Sequence, residues 1–194
     1  MKNNVAGPQE VLDFWFKTLT PSDWYMGGTE IDAEITRRFA PAWDQAVAGR
    51  LDHWRVSAQG VLAHILLTDQ MPRNMFRGGA TAFASDAIAR RAAFLAIKNK
   101  VFLKIDEPAR QFFFLPLMHS ESAADQDACV CMFLIHMSAA GADNLLHARA
   151  HREVIRRFGR FPTRNLALGR TSTQPEQAYL AAGGYGAIVQ ELRG

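Results

Sequence analysis

The apolar positions of this chain recur at helical spacing, in long runs joined by short turns. Pro8 to Leu19 places Val11, Leu12, Phe14, Trp15 and Leu19 on one face, and Pro8 suits a first helical turn. Thr29 to Ala48 continues helically, with Thr29 at the N-cap, Gly49 as the C-terminal stop and Pro41 predicting a kink or a break. Ser57 caps a strongly apolar helix containing Val61, Leu62, Ile65, Leu66 and Leu67, which is expected to stop near Pro72. The loop Arg77-Gly78-Gly79 leads to a helix from Asp86 to Asn99. Ala109 to Met118 follows, with phenylalanines at 112, 113 and 114 and an interruption at Pro116. Two longer helices run from Ser122 to Ala140 and from Asp143 to Phe158, and Pro175 opens a last one reaching Ala182. The pattern predicts an all-α fold, a stack of antiparallel helices numbering about eight or nine.

Composition supports that class. The chain has 194 residues, 48% of them apolar and 21% charged, which is material for one helical domain over residues 1–194 rather than for a disordered chain. Thirty alanines against nine valines and nine isoleucines favour helix over sheet. No period of 33 to 45 residues recurs with matching anchors. Met1 to Glu10 lacks the apolar run of a signal peptide, and two cysteines cannot staple a secreted domain, so a cytoplasmic location is expected. Cys129 and Cys131 point to different sides of a helix and read as buried apolar fillers. The longest uncharged stretch, Ala128 to Ala142, falls short of the roughly 18–20 apolar residues of a membrane span, so no membrane is expected. Phosphate-loop, dinucleotide and nucleophile-elbow motifs are missing from the sequence.

The net charge of +3 and pI near 9.1 are unevenly distributed. Arg149 to Arg170 holds seven arginines and one acid, Glu153, whereas the remaining residues carry 15 bases and 18 acids. One arginine-rich helix and turn therefore sits on a mildly acidic body. At about 100° per residue, Arg149, Arg152 and Arg156 share one face, while His147, Ala150, His151, Val154 and Phe158 lie opposite. The arginine stripe reads as a solvated face. A nucleic-acid footprint needs interleaved aromatic or base-reading side chains, and Phe158 and Phe161 are the only aromatics nearby; nucleic acid is disfavoured as a partner.

Several polar residues nevertheless point inward. Asp69 follows Ile65 by four residues on an apolar helix, so its carboxylate needs a partner, with Arg73, Arg160 and Arg164 as candidates. In His119-Ser120-Glu121, Ser120 or Glu121 is placed to cap the next helix. His147 and His151 have a metal-ligand spacing with Asp143 ahead of them. Without the acid of HExxH, they read more simply as core imidazoles, and neither metal nor cofactor is expected. An echo links Pro72-Arg73-Asn74 and Arg77-Gly78 with Pro162-Thr163-Arg164-Asn165 and Gly169-Arg170, explicable as two similar turns.

These segments resemble one family. DQMPRNMFRG (Asp69 to Gly78) with Ala82-Phe83 and Asp86, LMHSE (Leu117 to Glu121), HREVIRRFGRFPTRN (His151 to Asn165) with LGR (Leu168 to Arg170), and the opening VLDFWF (Val11 to Phe16) are similar to the bacterial domain of unknown function 924 family. The resemblance implies a tetratricopeptide-like stack of helices and supplies no reaction. His147 and the two cysteines lie outside its pattern.

Three functional readings follow. The turns converge on a cleft lined by Asp69, Arg73, Asn74, Glu121, Arg160, Arg164 and Asn165 that binds an anionic small molecule or an acidic peptide. Alternatively, the protein is a small metal-independent enzyme in which His119 or His151 does acid–base work on a phosphorylated or carboxylated metabolite. In the third reading the polar motifs are structural ion pairs. The density of Asp, Arg, Asn and His at turns favours the first.

Overall fold

The computed structural model describes residues 5–138 and 141–194, and every regular element within them is helical. The chain divides into two compact units, Met1–Phe113 and Phe114–Gly194. Met1 to Asn4, and the expected helix end at Ala140, lie outside the described residues.

The first unit is built around one buried helical run. Helices α1 (Pro8–Asp13), α2 (Asp23–Met26), α3 (Thr29–Val47), α4 (Ala58–Ile65), α5 (Met71–Met75) and α6 (Asp86–Lys98) are joined by short turns. Ser57 caps α4 as expected, its Oγ accepting the Gly60 N–H at 3.0 Å. Every residue from Val61 to Pro72 is buried, and Gln59 is the one exposed residue of α4, so this helix is mostly apolar because it is enclosed on nearly every side. It packs against α1 and α6, while α3 packs on α5.

The run does not stop at Pro72. It widens into a π-helical turn at Leu66–Gln70 and resumes as α5, with Pro72 near the first turn where a missing N–H costs least. The wide turn leaves backbone oxygens for side chains. Thr68 O accepts from Ser85 Oγ at 2.6 Å, and Ser85 Oγ in turn accepts from Trp43 Nε1 at 3.0 Å. A second wide turn, Phe14–Thr18, completes α1, and there Trp15 O accepts Trp24 Nε1 at 2.8 Å.

Two local expectations need correction. Pro41 does not break α3: Pro41 and Arg37 are both exposed, so the carbonyl left without a donor faces water and the helix continues to Val47. Thr29 is the first helical residue rather than the cap, and Gly28 takes the cap position without a side-chain hydrogen bond. Gly49 does end the helix, at φ +73°, where an L residue would be strained.

The second unit contains α7 (Leu115–Met118), α8 (Ala123–His136), α9 (Ala142–Phe158), α10 (Gln174–Ala181) and α11 (Gly184–Arg193). The last lies beyond the final helix expected from the sequence. Helix α9 packs on both α8 and α11. Ala150, Val154, Ile155, Phe161, Ile188 and Val189 form one core cluster, flanked by Leu146, Phe158, Tyr179 and Tyr185. Arg149, Arg152 and Arg156 are exposed, as the helical phase requires. Cys129 is buried, but Cys131 is exposed and is no core filler. Among the described residues no helix is long and apolar enough to cross a membrane.

Candidate functional site

In the first unit, the PRN turn is held by carboxylates. Asp69 is 0% exposed and meets Arg73 Nη2 at 3.3 Å; Arg73 Nη1 also donates to Asp86 at 3.0 Å and to the Ala82 carbonyl at 3.2 Å. Burial works against the guanidinium charge, but the two carboxylates outweigh it and raise the Arg73 pKa. One turn on, Asn74 and Arg77 converge on Asp32 of α3, Asn74 at 2.8 Å and Arg77 in a fork at 2.7 and 3.0 Å. Gly27 permits this approach: a Cβ there would lie 2.5 Å from an Arg77 nitrogen, and its φ is +61°. Burial pushes the Asp32 pKa up, yet the bonds from Arg77 and Asn74 hold it below the usual range.

His64 on α4 is 0% exposed, and neither ring nitrogen has a hydrogen-bond partner among the described residues. Burial first, and then the charge of Arg55, push its pKa down to about 4. It is a neutral core imidazole.

In the second unit, Glu121 does not cap α8. Its carboxylate takes a fork from Arg170 at 2.8 and 3.0 Å and accepts the Phe161 N–H at 2.8 Å. Burial raises the Glu121 pKa, and these bonds with the Arg170 and Arg164 charges more than reverse it. Ser120 does not cap α8 either; it bonds Asp125, while Ser122 takes the cap position. Arg160 forks onto Glu176 at 2.6 and 2.8 Å. Glu176 is 3% exposed and closes a capping box with Thr173; Arg160 first, and these cap bonds, hold its carboxyl down at about 2. Asn165 is buried and donates to Ser172 Oγ and Glu176, while its Oδ1 accepts from Arg170.

One pocket of about 260 Å³ opens beside this network, lined by His151, Val154, Phe161, Thr163, Arg164, Tyr179 and Tyr185. A row of planar groups forms one wall. The Arg164 guanidinium lies 4.6 Å over the Phe161 ring, whose centre is 5.5 Å from the His151 ring, which lies 4.7 Å from Tyr185. Arg164 is anchored by a 2.9 Å bond to the His119 carbonyl, and the His119 ring stands 6.3 Å from His151. His151 Nδ1 lies 2.9 Å from the His147 carbonyl. A carbonyl only accepts, so Nδ1 carries the hydrogen and Nε2 the lone pair. Burial chiefly, followed by the His119 and Arg164 charges, drives the His151 pKa down to about 3. His147 is engaged elsewhere, with Nδ1 2.6 Å from the Tyr185 hydroxyl and Nε2 3.5 Å from Asp143. None of the lining residues is acidic.

Residues 11–184 match the family described as "Bacterial protein of unknown function (DUF924)". The chain belongs to this family. A solved member-like structure, a protein of unknown function from Agrobacterium tumefaciens, is 38% identical and superposes with a TM-score of 0.83, over 89% of this chain and 96% of that one. No curated protein matches.

The polar residues singled out in the sequence fall into two networks, one in each unit. Asp69, Arg73 and Asn74 lie in the first unit; His119, Glu121, His151, Arg160, Arg164 and Asn165 lie in the second. Of the latter, only His151 and Arg164 line the pocket. Tyr179 and Tyr185 were not anticipated. The spacing of Tyr185, Ile188, Val189 and Leu192 is helical and signals α11, but Gly183-Gly184 ahead of it resembles a chain stop. Among the described residues, no group of three or more His, Cys, Asp or Glu is arranged to hold a metal.

Proposed function

We propose that the protein binds a small anion in the pocket of its second unit, with Arg164 as the charged ligand group. The observation that carries this reading is the lining: one guanidinium, two tyrosines, a threonine and a histidine, with no carboxylate among them. Glu121 is shared between Arg170 and Arg164, and Glu176 is taken up by Arg160. At about 260 Å³ the pocket is smaller than the roughly 300–1,000 Å³ of drug-sized sites, which favours a small molecule over an acidic peptide.

Acid–base catalysis by His151 finds less support. A general base works best with a pKa near the operating pH, and burial holds this imidazole at about 3. A cytoplasmic location remains the proposed compartment, supported by the free thiols of Cys129 and Cys131.

The test is thermal unfolding with a panel of small carboxylates and phosphates. A ligand at a hundredfold its Kd stabilises by about 2.7 kcal/mol, a shift of about 5 °C or more for a chain of this size. Arg164→Ala should abolish the shift while circular dichroism keeps its helical signal. No stabilisation of the native protein by any anion, or an undiminished shift in Arg164→Ala, defeats the reading.

A further inference from the structure

The pocket asks for more than negative charge. His151 cannot turn to offer a donor, because its Nδ1–H is committed to the His147 carbonyl at 2.9 Å within the same helix. Its other nitrogen, Nε2, meets no hydrogen-bond partner among the described residues, and the residue lines the pocket. The groups around it are His119 from the turn after α7, Arg164 from the turn after α9, His147 on α9 itself and Tyr185 on α11. Arg164 is a permanent cation. Next to that charge, and with the ring packed between Phe161 and Tyr185, a second positive charge on Nε2 is disfavoured, so the ring presents a lone pair.

We propose that the ligand of this site is an oxyanion that carries its own hydrogen-bond donor, the charge going to Arg164 and the donor O–H or N–H to His151 Nε2. This rests on the anion-binding reading above and narrows it. Hydrogen phosphate and small 2-hydroxycarboxylates satisfy both demands. Sulfate and simple carboxylates satisfy only the first, leaving the Nε2 lone pair without a donor once the ligand has displaced water from the pocket, or requiring a proton to be brought to Nε2 against the neighbouring cation. Sites that hydrogen-bond a ligand O–H reject analogues lacking it far more strongly than apolar pockets reject a missing methylene. The rest of the lining suits a compact ligand, since Val154 and the ring faces of Phe161, Tyr179 and Tyr185 are apolar and Thr163 adds one hydroxyl.

Two matched pairs of probes test this by calorimetry near neutral pH: inorganic phosphate against sulfate, and glycolate against acetate. Within each pair the charge-bearing head is similar and only one member carries the donor at that pH. The expected result is that the donor-bearing member of at least one pair binds about 100-fold tighter. The pair that binds identifies the acid head. His151→Phe, which keeps an aromatic ring between Phe161 and Tyr185, should reduce that preference to within a few fold. The native protein supplies a second readout: binding measured in two buffers of different ionisation enthalpy should show no net proton uptake beyond that of the anion's own titration, which is nil for glycolate and finite for phosphate. Equal affinity within both pairs, uptake of one proton per anion beyond the anion's own titration, or an undiminished preference in His151→Phe overturns the donor requirement and leaves anion binding standing. If none of the four anions binds, the anion-binding reading itself falls, and the donor requirement with it.

Discussion

Arg170 reaches back 49 residues to fork onto Glu121, with its two terminal nitrogens at 2.8 and 3.0 Å from the carboxylate oxygens. The same Arg170 Nη2 donates to the Phe161 carbonyl at 3.0 Å, and Glu121 accepts the Phe161 N–H, so both partners of the ion pair clamp one backbone residue that lines the pocket. Arg170→Ala should therefore loosen the Phe161 turn and destabilise the protein by about 2 kcal/mol, below the range for a fully buried pair because both side chains retain some exposure. Urea unfolding measures this, and no change in midpoint would refute it.

Arg73 is more costly to lose. Asp69 is 0% exposed, and removing Arg73 strips a buried carboxylate of its cationic partner. Arg73→Met should cost about 3–5 kcal/mol, and adding Asp69→Asn should recover part of that loss. A double-mutant cycle in denaturant reads the coupling; strict additivity would contradict it.

Acid should reveal His64. Its folded-state pKa of about 4 lies below the ordinary 6.5, so the unfolded chain binds the extra proton between those values. Stability from this residue is fully present above pH 6.5 and is lost as pH falls toward 4, by up to about 3 kcal/mol. In His64→Leu the slope of unfolding free energy against pH over that window should flatten. The buried ring makes no hydrogen bond, so its stability near neutral pH should be equal or higher.

Glu176 titrates lower. Arg160 and the cap bonds hold its carboxyl at about 2, below the ordinary 4.5, so its contribution is present above pH 4.5 and disappears as pH falls toward 2. Thr173→Ala, which removes one half of the capping box, should cost about 1 kcal/mol without altering that acid window much, because Arg160 remains. Thermal melts of the variant across pH provide the check.

The helical class was legible because it depends on local periodicity, which Val11, Leu12, Phe14 and Trp15, or Ala150 and Val154, display directly. The arginine stripe on α9 was legible for the same reason. The pairings were not, since they are tertiary: nothing in the sequence of Glu121 distinguishes a cap of the next helix from the acceptor of an arginine 49 residues away. Asp32, which gathers Asn74 and Arg77, carries no local signal at all. The echo between Pro72-Arg73-Asn74 and Pro162-Thr163-Arg164-Asn165 has a counterpart in the hydrogen bonds. In each unit an asparagine and a downstream arginine stand together at a carboxylate network, Asn74 and Arg77 at Asp32, Asn165 and Arg170 beside Glu121 and Glu176. Pocket residue Tyr185 was missed because Gly183-Gly184 masked the phase of α11, and Tyr179, on the expected last helix, has no local signal that marks it as a pocket residue.

The wide turn at Leu66–Gln70 has the arithmetic of a one-residue insertion. Residues after it are rotated by about 100° from where an uninterrupted α-helix would carry them. His64 and Ile65 are thus phased with α4, whereas Arg73 and Asn74 are phased with α5, although a single helical wheel drawn through all of them looks coherent. Deleting one residue between positions 66 and 70 would turn the whole PRN segment away from Asp86 and Asp32 without removing any of its side chains.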